Sequence, residues 1–279
     1  MILVVAVLIY MPFVKAMDRE VELLRTRGSE AVSSFDPRDV VVAFDMDGTL
    51  LDADNNVIGG EETVDILARL QRRGCTMAIG TGRLDHDIIC AGERFGLHFD
   101  NRISQHGAVR RSKGRVEAEL LNPEDALEIF NRIEDAPVRI EVNTVSNRYW
   151  TSERDPDFPK ELYDSHIIKG DLREVIRCQP IVLFLLVGDG VDLEPIARMV
   201  GEEYPGVQAV MSSKTSLEVM PRGVSKGSAL AQMYAGKRIM AIGDAPNDFE
   251  MFGKAELPTL FLICRARSMW CESLRFWRP

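Results

Sequence analysis

Two acids close a short apolar run near the front of the chain. Residues 39–44 read Asp-Val-Val-Val-Ala-Phe, and Asp45, Met46, Asp47, Gly48 and Thr49 follow. A run of that length fits a strand buried on both faces. Ligands of open α/β sheets bind outside the carboxyl ends of the strands. Asp45 and Asp47 therefore stand where chemistry is expected. Residues 79–83, Ile-Gly-Thr-Gly-Arg, end a second apolar run with a hydroxyl on Thr81, small residues around it and a cation on Arg83. Gly82 lets the backbone approach a ligand, and the hydroxyl can donate to a phosphate oxygen. Ser225 suits a helix N-cap, which puts Lys226 in the first turn. The helix dipole prefers an anion there, so a lysine makes sense if it and the helix end face a shared anion. A third apolar run ends in Gly243 and Asp244, with Asn247 and Asp248 just beyond.

Taken singly, three of these segments have plain structural readings: a tight turn, a solvated lysine, an acid-rich loop. Taken together they do not. Asp45, Asp47 and Asp244 on adjacent strand ends repel one another, and a hard dication resolves that repulsion. Mg²⁺ suits a few carboxylates plus a substrate phosphate oxygen. The four histidines are scattered and the five cysteines form no C-x-x-C pair, so a metal site here is built from oxygen ligands. The odd cysteine count points to a reducing, cytoplasmic setting rather than a disulfide framework.

The elements that must position these residues alternate. Helical spacing over 61–73 stops at Gly74, an apolar run covers 75–79, and a helix over 84–95 stops at Gly96. A helix over 226–234 precedes an apolar run at 238–242. Strand–helix alternation predicts an α/β fold, a doubly wound parallel sheet. From about 110 to 214 the pattern changes to short strands at 138–142, 149–151, 181–187 and 207–211, with helices at 123–133 and 193–203; a further strand follows at 216–220. This predicts an inserted α+β domain. The 279 residues suit one large domain or two modest ones. With 46% apolar and 28% charged residues the chain is not disordered as a whole, and a net charge of −9 speaks against broad nucleic-acid binding. Residues 1–14 are apolar but short for a bilayer span. They read as a packed element or as sequence upstream of a start at Met11 or Met17, with a membrane or export role as a third reading.

FDMDGTL, IGTGR, LEVMPRGVSKGSAL and IGDAPNDFEMF occur in that order. In order and spacing they resemble the haloacid dehalogenase superfamily, and more narrowly its Cof-type phosphatases. Residues 99–108 resemble that family's strand ending in N-G-A, with His106 where asparagine is usual. The resemblance implies a Rossmann-like core over 37–110 and 215–279, a type-two cap over 111–214, and an N-terminal extension over 1–36. It implies Asp45 as the nucleophile that forms an aspartyl-phosphate, and Asp47 as general acid and base that also offers its backbone carbonyl to the metal. It implies Thr81 and Lys226 on the phosphoryl oxygens, Asp244 as a Mg²⁺ ligand and Asp248 orienting the metal shell. Asn247 would touch phosphate or hold its loop, and Arg83 would meet substrate or form a structural ion pair. The activity implied is Mg²⁺-dependent hydrolysis of a small phosphorylated metabolite, a sugar phosphate, with no nucleic-acid or membrane partner. A phosphomannomutase-like mutase and a non-catalytic or truncated protein are the alternatives. Beyond about residue 259 the chain departs from the family pattern, and the residues after about 264 are expected to pack poorly.

Overall fold

The computed structural model describes residues 37–153, 162–163, 166–244 and 246–255. The expected N-terminal extension, 1–36, and the tail beyond 259 lie outside the described residues. A short 3-10 turn, Pro37–Asp39, leads into β1 (Val40–Phe44); α1 (Gly60–Arg72), β2 (Thr76–Gly80), α2 (Asp85–Phe95) and β3 (Asn101–Ser104) follow. After a 3-10 turn at Gln105–Gly107 come β4 (Val109–Ser112), β5 (Arg115–Ala118), α3 (Pro123–Ile133), β6 (Arg139–Thr144), β7 (Arg148–Trp150) and β8 (His166–Ile168). The remaining elements are α4 (Arg173–Cys178), β9 (Ile181–Val187), α5 (Gly190–Glu203), β10 (Val207–Ser213), β11 (Ser216–Pro221), α6 (Lys226–Met233), β12 (Arg238–Ile242) and α7 (Phe249–Phe252).

The strands form two six-stranded sheets, in the orders β12-β1-β2-β3-β4-β5 and β10-β11-β9-β6-β7-β8. In the first sheet β12, β1, β2 and β3 run parallel. Each parallel crossover carries a helix, as such connections require. Alternation along β1 sends Val40, Val42 and Phe44 to a core with Val64, Ile66 and Leu67 of α1 and Ile88 and Ala91 of α2. Val41 and Ala43 face the other way, onto Ala229 and Leu230 of α6 and Met251 of α7. The fold is α/β, with helices on both faces of this sheet. The second sheet is antiparallel except for the β7–β8 pair. One of its faces packs against α3, α4 and α5.

The two sheets divide the chain at other positions than the change of pattern near 110 and 214. The hairpin β4–β5 extends the first sheet through Ala118, although its residues belong to the stretch expected as cap. Its turn holds Lys113 and Gly114 at φ of 50° and 76°, the left-handed pair that a two-residue hairpin loop demands. At the other limit, β11 pairs with β9 and β10 in the second sheet, because Leu217 and Val219 belong to that sheet's helix-side core. Helix α5 begins a turn before the expected 193, with the Asp189 carbonyl accepting from the amides of Asp192 and Leu193. Among the described residues no helix is long and apolar enough to cross a membrane.

A buried charged contact ties the sheets together. Asp87, in the first turn of α2, is fully buried and accepts from Arg148 Nη2 of β7 at 2.7 Å. Its other oxygen accepts from the amides of Leu162 and Tyr163, both at 2.9 Å. His86 stacks on Tyr163 with centroids 4.6 Å apart. Breaking a buried pair costs about 3–5 kcal/mol when the survivor keeps no partner. Arg148 keeps Glu141, whose Oε1 lies 3.8 Å from its Nε. Asp87→Ala is therefore expected to cost about 3 kcal/mol, the lower end of that range, and Asp87→Asn less. Urea unfolding of both variants checks this; an unchanged midpoint for Asp87→Ala would remove Asp87 from its place at the seam.

Candidate active site

The parallel register places Phe44 opposite Ile242, and the ladder runs one step further, with the Asp45 amide donating to the Ile242 carbonyl at 2.9 Å. Asp45 and Gly243-Asp244 therefore leave the sheet side by side at its carboxyl edge. Gly48 makes their approach possible. It sits at φ 76°, and a Cβ there would lie 2.2 Å from Asp244 Oδ2. Thr49 Oγ1 donates to Asp244 Oδ1 at 3.1 Å. Gly243 has a similar constraint: a Cβ would lie 2.4 Å from Asp248 Oδ2.

Lys226 enters this cluster from the start of α6. Ser225 caps the helix, its Oγ accepting from the Ser228 amide at 2.9 Å while Ser228 Oγ accepts from the Ser225 amide. The lysine is fully buried, and its Nζ donates to Asp45 Oδ1 at 2.7 Å and to Asp248 Oδ1 at 2.8 Å. Asp248, itself fully buried, also accepts from the Asp244 amide at 3.1 Å. One carboxylate thus fixes both the lysine and the backbone of its acidic neighbour. The anions that the first-turn lysine calls for are supplied by Asp45 and Asp248.

The charges are strongly perturbed. Burial pushes the Asp45 carboxyl up to about 7; Lys226 pulls it down, and the like charge of Asp248 adds to the rise. Burial alone would lower Lys226, but Asp45 and Asp248 outweigh it and hold the ammonium above the ordinary lysine range. Asp244 is raised by burial, against the hydrogen bond from Thr49. Oxygens of Asp45, Asp244 and Asp248 lie within 4.8 Å of one another. Three carboxylates at that spacing, with a glycine clearing the approach, fit a small hard cation.

Asp47 stands apart from that cluster. It is half-exposed, and Arg83 Nε lies 3.0 Å from both of its carboxylate oxygens. Arg83 Nη2 donates to Asn55 Oδ1 at 2.8 Å. Arg83 thus forms an ion pair with the second acid of the motif. Thr81 is fully buried beside this pair, and its Oγ1 accepts from the Arg83 amide at 3.1 Å, so its hydroxyl proton is left for another partner. Gly82 lies against the His106 ring, 2.3 Å from Nε2 if it carried a Cβ. Asn247 Oδ1 is buried with no hydrogen-bond partner.

Sequence reasoning did not single out Thr49, Asn55 or Glu218. Thr49 and Glu218 lie inside the segments that carry the resemblance, and only tertiary contacts show what they and Asn55 touch. A hollow of about 560 Å³ lined by Gln71, Cys75, His98 and Asn101 lies at the opposite, amino end of the strands and contains none of these acids.

A family model described as haloacid dehalogenase-like hydrolase matches residues 42–259. An HMP-PP phosphatase of Klebsiella pneumoniae (strain 342) is 29% identical over 261 residues, covering 82% of this chain and 92% of the relative. A haloacid dehalogenase-like hydrolase from B. subtilis has a TM-score of 0.67 at 23% identity, covering 79% of this chain and 87% of its own. A phosphatase of the same superfamily from Bacteroides thetaiotaomicron has a TM-score of 0.59 at 22% identity, covering 77% and 81%. The two structural likenesses bear on the fold.

Removing the lysine tests the cluster directly. Lys226→Met leaves Asp45 and Asp248 buried without their shared cation, so in metal-free protein it is expected to cost about 3–5 kcal/mol. Chemical denaturation in the presence of a chelator measures this. A loss below about 1 kcal/mol, the worth of an ordinary exposed pair, would show that the three charges do not depend on one another.

Proposed function

We propose, for a chain that belongs to the haloacid dehalogenase-like hydrolase family, that it is a Mg²⁺-dependent phosphatase cleaving a small phosphorylated metabolite, a sugar phosphate, through an aspartyl-phosphate on Asp45. The observation that carries this reading is Lys226 Nζ held between Asp45 and Asp248. A buried ammonium beside a buried carboxylate at a strand end suits a phosphoryl group bearing negative charge. The relative named as an HMP-PP phosphatase supports a small phosphorylated substrate. The free thiols of Cys75, Cys90 and Cys178 agree with a cytoplasmic setting.

In this mechanism an Asp45 carboxylate oxygen attacks phosphorus, and the bond from phosphorus to the leaving oxygen breaks. Lys226 and the Thr81 hydroxyl hold the equatorial oxygens, with the Gly82 backbone close by. Asp47 turns from Arg83 towards the substrate and protonates the leaving oxygen. It then takes a proton from a water that attacks the aspartyl-phosphate, and the bond from phosphorus to Asp45 breaks to release phosphate. Asp45, Asp244 and the Asp47 carbonyl would hold Mg²⁺, with Asp248 orienting them. When bound, the ion supplies positive charge that offsets the repulsion between the Asp45 carboxylate and the phosphoryl oxygens. Arg83 parks Asp47 between turnovers, and Asn247 steadies the loop or meets phosphate.

Asp45→Asn is expected to abolish phosphate release from a metabolite panel with Mg²⁺ while the protein stays folded; activity within about tenfold of wild type would overturn the nucleophile assignment. Asp47→Asn is expected to slow a hexose phosphate far more than p-nitrophenyl phosphate, because only the poor leaving group needs a proton in the transition state. Equal losses on the two esters would count against Asp47 as general acid. Turnover that needs a bisphosphate activator and releases no net phosphate would assign a mutase instead.

A further inference from the structure

The β4–β5 hairpin carries the first sheet past the helices that cover β1 and β2. Its register places Arg102 of β3 opposite Arg111 of β4, and Arg111 opposite exposed Val116 of β5. Residues opposite one another share a face of the sheet. Here it is the face that carries α2, because both arginines turn to Asp85 in the first turn of that helix. Asp85 is buried, and Arg102 donates to it from Nε at 2.6 Å and from Nη2 at 3.3 Å. Arg111 Nε lies 2.7 Å from Asp85 Oδ2. Arg102 Nη1 is taken by the Phe99 carbonyl at 2.7 Å. One carboxylate thus anchors two guanidinium groups and cancels only one of their charges.

A hollow of about 320 Å³ opens beside this pair, lined by Asp100, Arg102, Arg111, Lys113, Gly114 and Arg115. It lies towards the amino end of β3, where Asn101 pairs with Ser112 and the hairpin turn follows. Asp45 and Asp244 stand at the carboxyl edge. Counting Asp85 and Asp100 against the four cations leaves two positive charges at the hollow. Elsewhere in this acidic chain arginines find carboxylates, as Arg83, Arg110, Arg132 and Arg173 do. Among the described residues Lys113 and Arg115 form no ion pair, and the terminal nitrogens of Arg111 make no hydrogen bond. Cations gathered in a concavity repel one another, and such a set concentrates counter-ions of the opposite sign.

We propose that this hollow binds a compact oxyanion with two or more negative charges, of the diphosphate class. Arg111, held at Nε by Asp85, presents its two terminal nitrogens as a preformed fork, the geometry that matches phosphate oxygens in pairs. Lys113 and Arg115, on either side of Gly114 in the turn, add charge that can follow the ligand. The volume is at the lower end of the range for ligand pockets and suits a small anion. This site is independent of the phosphatase reading, since it shares no residue with the acidic cluster.

The test is calorimetric titration of the metal-free full-length protein with pyrophosphate at low ionic strength. Leaving out metal keeps pyrophosphate free and prevents turnover. Wild type is compared with Lys113→Gln/Arg115→Gln and with Arg177→Gln/Arg198→Gln, which removes the same charge from exposed positions on α4 and α5. Wild type is expected to bind one pyrophosphate, more tightly than inorganic phosphate, and to lose affinity as sodium chloride is added. The hairpin variant is expected to bind about tenfold or more weakly, and the control variant within about twofold of wild type. No saturable binding by wild type overturns the proposal. Binding kept by the hairpin variant also overturns it, by placing the anion elsewhere, the catalytic cluster included. Equal losses in both double variants overturn it as well, because they would assign the effect to overall charge.

Discussion

A single ammonium group sets the terms for the rest of the molecule. Lys226 is buried between Asp45 and Asp248, and none of the three charges could occupy its position alone. The lysine needs α6 to begin beside the sheet edge, which the Ser225 cap secures. Asp45 needs β1 to end at the same level as β12, which the parallel register secures. Asp248 needs a chain that doubles back after Gly243, close enough for its second oxygen to accept the Asp244 amide. Three remote segments thus converge on one Nζ atom, and the parallel sheet is the frame that makes them meet.

The loops around that point are fastened to one another. The 81–83 loop takes two backbone bonds from the strained 105–106 turn and one ion pair from Asp47. The turn reaches the second sheet through Gln105 and His106, and α2, which begins just after the loop, reaches it through Asp87 and Arg148. Packing at this seam is both apolar and polar: Ala108, Val109, Val182, Leu183, Met220 and Val224 form one cluster across it. The position of the second sheet over the loop is therefore fixed by several independent contacts, and its polar face belongs to the same structural unit as Thr81 and Arg83.

The sequence makes some of this legible and hides the rest for physical reasons. Strands buried on both faces read as apolar runs, so the ends carrying Asp45, Thr81 and Asp244 stand out without any structure. Helix stops at Gly74 and Gly96 are equally plain, because both positions need a positive φ. The burial of Lys226 is not visible, since a lone lysine looks like solvent-facing charge until its carboxylates are placed. Arg83 is ambiguous for the same reason, and its contact with Asp47 settles on an ion pair. The hairpin β4–β5 escapes notice because half of its strand residues are charged and its burial falls from buried Val109 and Arg110 to exposed Arg115, Val116 and Glu117, which leaves no alternation to read. Glu218, Asp87 and Arg148 do not stand out in sequence: each matters through a partner many residues away.

The central claim is that Asp45 carries the phosphoryl group. Its most direct test is to quench the enzyme during steady turnover, reduce with borohydride, and map the products by peptide mass spectrometry. Borohydride converts an aspartyl-phosphate to homoserine and leaves a free carboxylate untouched. The account predicts homoserine at position 45, present only when substrate and Mg²⁺ are both supplied. Homoserine at position 47, 244 or 248 instead, or none at any acid while phosphate is being released, would contradict it.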